Sequence, residues 1–208
     1  MATQNNSPNG AMNQSPTAQK MCQIQTPQFY DHKGTQAIMD LYGIKRELLV
    51  DCTFLEKLAR DAASAANATV EGPLLISTPP DGGGPSFTMH LLQSHGSGHA
   101  WPETTITIKG EEGEAFKRIE GYMYLDFATC GVTCDPIKAC VSYILGLQPS
   151  TGTVTILPTG ENPDAAADKQ IKVYALDDFK RVFRSEFDEV SGKYSVPTPA
   201  DAQELKCE

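Results

Sequence analysis

Positive charge is scarce in this chain. Its 208 residues hold 17 lysines and arginines against 26 aspartates and glutamates, a formal net charge of −9. A protein that grips a phosphate backbone needs a basic stripe. Here the cations are scattered among carboxylates, which excludes nucleic acid as a partner. Long apolar runs are also missing. No stretch approaches the roughly 20 residues of a membrane span, and residues 1–30 lack the apolar block of a signal peptide, so the expectation is a cytoplasmic protein with no membrane partner. The six cysteines, at 22, 52, 130, 134, 140 and 207, fit neither a disulfide framework nor a zinc site. They read as reduced, structural thiols, and no metal is expected. The segment Thr78-Pro79-Pro80-Asp81-Gly82-Gly83-Gly84-Pro85 lacks the Gly-Lys-Ser/Thr ending and following helix of a phosphate-binding loop. It reads instead as a turn that delivers Ser86.

With 40% hydrophobic and 21% charged residues, the chain can bury one core. Three stretches are expected: a disordered leader at 1–28, rich in Asn, Gln, Ser and Pro; a domain at 29–158; and an extension at 159–208. Residues 36–42, bounded by Gly34 and Gly43, read as a strand. Thr53 with Glu56 three residues later predicts a capping box, opening a helix whose buried face is Phe54, Leu55, Leu58, Ala62 and Ala65 and whose stop is Asn67. Residues 69–77, 86–92, 104–108, 122–128 and 153–157 read as further strands, and residues 109–121 as a charged, Gly-rich connection. Asp135 as N-cap with Pro136 at the first helical position predicts a second helix, ending at Gly146. In the extension, Phe179, Val182, Phe183 and Phe187 share a helical spacing. The fold class is α+β, an antiparallel sheet with two helices packed on one face.

The chemistry concentrates in residues 86–103, Ser-Phe-Thr-Met-His-Leu-Leu-Gln-Ser-His-Gly-Ser-Gly-His-Ala-Trp-Pro-Glu. An apolar strand breaks there into a segment where His95 and His99 bracket Ser97, with Ser94 just before. Gly96 and Gly98 suggest backbone freedom at this point. Ser94 beside imidazoles is a candidate nucleophile, and a hairpin with solvated Ser and His residues explains the same letters.

The run Gln93-Ser94-His95-Gly96-Ser97-Gly98-His99-Ala100-Trp101-Pro102-Glu103 resembles the Glu-Ser-His-x-Ser/Thr-x-His-x-Trp-Pro-Glu signature of bacterial and archaeal S-adenosylmethionine decarboxylase proenzymes. Ser86 stands where that family has an upstream serine. Leu125-Asp126-Phe127-Ala128-Thr129-Cys130-Gly131 is similar to its Asp-x-Phe-Thr-Cys-Gly segment, and the likeness spans about residues 34–158. The resemblance implies a self-cleaving, pyruvoyl-dependent carboxy-lyase of polyamine and spermidine biosynthesis. Cleavage falls between Gln93 and Ser94, and Ser94 becomes the pyruvoyl cofactor, which forms a Schiff base with the substrate amine and takes up the electrons released with carbon dioxide.

By the same resemblance Ser86 and His99 assist processing, Cys130 is the proton donor in turnover, and Glu103 holds the substrate ribose. The substrate is a cationic amino-acid-type molecule, S-adenosylmethionine first, with arginine or ornithine as alternatives. An inactive regulatory partner of an active member is the other reading, and processed chains are expected as homodimers. Departures are visible. Gln93 replaces the usual Glu, Thr35-Gln36 replaces a basic pair after Gly34, and Thr78-Pro79-Pro80 replaces the segment that carries an adenine-stacking ring.

Overall fold

The computed structural model describes residues 34–80, 83–108, 117–130, 134–159 and 171–193. The leader, most of the charged segment from Lys109 and the C-terminal tail lie outside the described residues. Seven strands form one sheet: β1 (Gly34–Tyr42), β2 (Leu75–Ser77), β3 (Ser86–Leu91), β4 (Ser94–Ile108), β5 (Lys117–Thr129), β6 (Thr151–Thr159) and β7 (Lys172–Ala175). Their order across the sheet is β2-β3-β4-β5-β1-β6-β7, and every pairing is antiparallel.

Strand alternation sorts the side chains. Ala37, Met39 and Leu41 of β1, Phe87, Met89 and Leu91 of β3, and Met123, Leu125 and Phe127 of β5 are buried on one face. That face is covered by α1 (Arg46–Val50), α2 (Cys52–Ala65), α3 (Pro136–Leu147), α4 (Leu176–Val182) and α5 (Arg184–Lys193), whose apolar residues join the strands in a single core cluster. Each fully buried Leu, Met or Phe contributes about 1.5–3 kcal/mol. The opposite face carries Gln36, Asp40, Tyr42, Ser86, His99, Tyr122, Tyr124 and Asp126, all partly accessible.

Several expectations need correction. The cap of α2 is Asp51, whose side chain accepts from Phe54 N at 2.9 Å, and Thr53 already lies inside the helix. Asp51 is the single extended residue between α1 and α2, so its carboxylate is the one placed to meet the orphan amide of Phe54. Asp135 caps α3 as expected, accepting from Ile137 N at 3.0 Å, but the helix runs past Gly146 to Leu147 and ends on Gln148 in the left-handed region. Residues 69–74 form no continuous strand before β2: they meet the hairpin through an isolated bridge, Val70 to Leu91, and through backbone bonds at Thr69 and Glu71. The expected strand at 104–108 is the far third of the 15-residue β4, whose register shifts between Trp101 and Thr105. β7 was not anticipated. With α4 and α5 it extends the core, for Leu176, Phe179 and Val190 are fully or almost fully buried.

Gly96 and Gly98 are regular strand residues, not turn residues. Both occupy core-facing positions of β4, where a Cβ on Gly98 would sit 2.4 Å from the Phe87 ring and one on Gly96 2.8 Å from Met89 Cε. Space, not dihedral freedom, requires glycine there.

Candidate active site

The β3–β4 hairpin pairs Leu91 with Ser94, leaving Leu92 and Gln93 as a two-residue turn. Thr69 clamps that turn from the side. Its carbonyl accepts from Leu92 N and its amide donates to Gln93 Oε1, each at 2.9 Å. A side-chain carbonyl suffices for the second bond, which accounts for Gln at a position where a carboxylate is usual. The backbone carbonyl of Gln93 accepts from Cys130 N at 2.7 Å. The peptide between Gln93 and Ser94 is therefore held through both the side chain and the carbonyl of Gln93 and polarised at its oxygen.

Ser94 has a φ of +153°, in a region that L-residues seldom adopt and that costs about 1–3 kcal/mol when imposed. Neighbouring side chains in a strand normally point to opposite faces. Here Ser94 Oγ and His95 Nδ1 are nonetheless 3.2 Å apart. On its other side His95 Nε2 lies 3.5 Å from Asp126 Oδ2. Asp126 is fixed in turn by Gln36, whose Nε2 donates to both carboxylate oxygens at 3.0 and 3.1 Å. Cys130, at the exposed end of β5, adjoins this group because Ser94 pairs with Thr129.

A second serine–histidine pair lies further along the sheet. Ser86 and His99 are cross-strand partners, and Ser86 Oγ is hydrogen-bonded to His99 Nδ1. His99 packs on Trp101 at 3.9 Å between ring centroids, Trp101 stacks on Tyr122 at 4.9 Å, and Tyr122 on Tyr42 at 4.6 Å. Burial and a 2.5 Å hydrogen bond to Asp40 push the Tyr122 phenol well above its ordinary pKa, so it stays a neutral donor.

His99 lies five steps of extended strand beyond Ser94, about 16 Å along β4. Glu103 is further still, nine residues on, or roughly 30 Å. It forms a 2.7 Å ion pair with Arg46 in a cleft of about 480 Å³ that Gly43, Glu120 and Ser150 also line. Of the expected site residues, one chain thus brings together Gln93, Ser94 and Cys130, and separately Ser86 and His99. Glu103 stands apart from both groups. His95 and Asp126 were not singled out as site residues beforehand. The signal that would have found them is the register Ser97 to Asp126, which sets residue 126 beside the odd-numbered face of β4.

Residues 35–160 match the family described as S-adenosylmethionine decarboxylase. The chain belongs to this family. Among curated relatives, the S-adenosylmethionine decarboxylase proenzyme of Symbiobacterium thermophilum is 32% identical over 53% of this chain and 70% of that protein. The arginine decarboxylase proenzyme of Aeropyrum pernix is 31% identical over 58% of this chain and 80% of its own length. The solved adenosylmethionine decarboxylase of Aquifex aeolicus superposes with a TM-score of 0.50 at 21% identity, covering 65% of this chain and 97% of that one, a likeness of fold. The chain is thus a family enzyme of the decarboxylase type on the expected α+β sandwich. Among the described residues no helix is long and apolar enough to cross a membrane.

Proposed function

We propose that this chain is a self-processing, pyruvoyl-dependent S-adenosylmethionine decarboxylase serving polyamine biosynthesis. The observation that carries this reading is the Gln93–Ser94 peptide, with its carbonyl on Cys130 N and Ser94 on an unusual φ. An attacked carbonyl needs a donor aimed at its developing negative charge, and a backbone N–H at 2.7 Å supplies one. Cleavage there yields residues 1–93 and 94–208, with the pyruvoyl group formed from Ser94. The site suits that group, since Ser94 is partly accessible at the edge of a turn and Cys130, an exposed free cysteine, is bonded through its amide to the residue before it. When formed, it offers a carbonyl to the substrate amine and a sink for the electrons released with carbon dioxide. Cys130 donates the proton that replaces the lost carboxylate. Four described cysteines are free thiols, which suits a cytoplasmic enzyme.

His99 and Glu103 are too far along β4 to serve the Ser94 of their own chain. We therefore take the working form to be a homodimer in which a second copy, facing the side of the sheet that no described helix covers, supplies that imidazole and that carboxylate. Sedimentation at micromolar concentration should give a dimer. A monomer that is fully active contradicts it.

The π-faces of His99, Trp101, Tyr122 and Tyr42 support the adenosyl substrate, because they offer aromatic surface that Thr78-Pro79-Pro80 does not. The arginine decarboxylase relative favours the second reading, a basic amino acid on the same scaffold. Release of carbon dioxide from S-adenosylmethionine, arginine and ornithine at equal concentration by the processed protein tests the order. Activity on S-adenosylmethionine should dominate, and activity on arginine or ornithine alone reverses it.

A further inference from the structure

We infer that His95, oriented by Asp126, is the general base that activates Ser94 Oγ in the first step of self-cleavage. The inference rests on the self-processing reading above and assigns a residue to a step which that reading leaves without a base. A serine hydroxyl is a weak nucleophile until a neighbouring base takes its proton. The chain has four histidines, and three are described. Within one chain His99 is about 16 Å away along the strand and is engaged by Ser86. The imidazole that a second copy supplies is assigned to the later elimination that turns Ser94 into the pyruvoyl group. His90 lies across the hairpin from His95 and is turned to Glu71, with Nδ1 3.2 Å from Oε2. Among the described histidines His95 alone puts a ring nitrogen within hydrogen-bond reach of Ser94 Oγ, at 3.2 Å.

The second nitrogen sets the tautomer. A carboxylate only accepts, so Asp126 at 3.5 Å draws the ring proton to Nε2 and leaves Nδ1 free to take the proton of Ser94. The same charge steadies the imidazolium that results, while the two bonds from Gln36 keep the carboxylate in place. Nucleophile, base, orienting carboxylate and the Cys130 amide on the attacked carbonyl thus converge on one peptide.

The step balances within the chain. The Ser94 Oγ proton moves to His95 Nδ1 as Oγ bonds to the carbonyl carbon of Gln93. A five-membered ring closes, and its oxyanion sits on Cys130 N–H. Collapse breaks the bond from Gln93 C to Ser94 N, and the proton passes from His95 to that departing nitrogen. The product is an ester between Gln93 and Ser94 Oγ with a free Ser94 amine, and no water or outside reagent is consumed.

The test follows cleavage of freshly translated full-length chain by denaturing electrophoresis and intact mass. His95→Ala and His95→Gln should each slow cleavage by roughly 100-fold, the scale of a positioned base. Added imidazole should restore a large part of the rate to His95→Ala, a response that a merely structural residue does not give. Asp126→Asn should slow the wild-type chain roughly tenfold and add nothing in the His95→Ala background, since it acts through that ring. If the wild type cleaves and either His95 variant keeps pace within threefold, the inference fails alone. It also fails if the slowed His95→Ala chain, native by circular dichroism, ignores imidazole. Equal effects of Asp126→Asn in both backgrounds remove the orienting role. A wild-type chain that never cleaves overturns the self-processing reading and this inference with it.

Discussion

The same sheet face carries two serine–histidine pairs built in different ways. Ser94 and His95 are sequence neighbours, brought to one side only because Ser94 leaves the regular strand conformation. Ser86 and His99 lie 13 positions apart and meet through ordinary antiparallel register. The first pair follows directly on a turn held by Thr69 and by the amide of the exposed Cys130. The second sits mid-sheet against a stack of aromatic rings. The difference separates roles: a distorted turn with a polarised peptide is suited to breaking its own chain, whereas a regular, half-buried pair is suited to contact with something placed on the sheet.

The largest effects should come from breaking the turn pair. Ser94→Ala removes the nucleophile and should abolish cleavage and turnover together. Cys130→Ala keeps the amide that holds Gln93 and should cleave normally, yet lose about 100-fold in turnover if the thiol is the proton donor. Equal carbon dioxide release by wild type and Cys130→Ala removes that assignment.

A smaller effect probes the mid-sheet pair. Gly98→Ala drives a methyl group into the Phe87 ring and against Leu125 beside His99, and should cost about 1–3 kcal/mol in denaturant unfolding. Gly96→Ala meets only the mobile end of Met89 at under 3 Å and should cost less. Comparable losses for the two would mean that Phe87 yields as easily as Met89. The smallest change lies away from both pairs. Tyr143 in α3 buries a hydroxyl with no hydrogen-bond partner among the described residues, so Tyr143→Phe should be neutral or stabilising by up to about 1 kcal/mol. A clear loss of stability would reveal a partner for that oxygen.

Much of this was legible in the sequence because local rules and the fold agree. Asp135-Pro136 announces α3, the apolar face of α2 is written in Phe54, Leu55 and Leu58, and Gly34 and Gly43 bracket β1. The misreadings at Gly96, Gly98, β7 and Asp126 share a cause, which is that packing and pairing rather than local preference decided them. Gly96 and Gly98 signal a turn by type, but the rings opposite them demand glycine in a strand. The four residues of β7, three of them exposed, show no apolar–polar alternation and are recruited by pairing with β6. Asp126 became part of the site only through its register with β4 and its bonds to Gln36, 90 residues away in the chain. No spacing along the sequence encodes that meeting.

The account turns on whether the peptide at the turn cuts itself, and the mass of the purified, unmodified chain tests this most directly. The expected result is two fragments that divide between Gln93 and Ser94, the one starting at position 94 bearing a pyruvoyl terminus. A chain that remains whole after prolonged incubation, or a fragment that begins with an ordinary serine, would contradict it and favour a regulatory family member without catalysis.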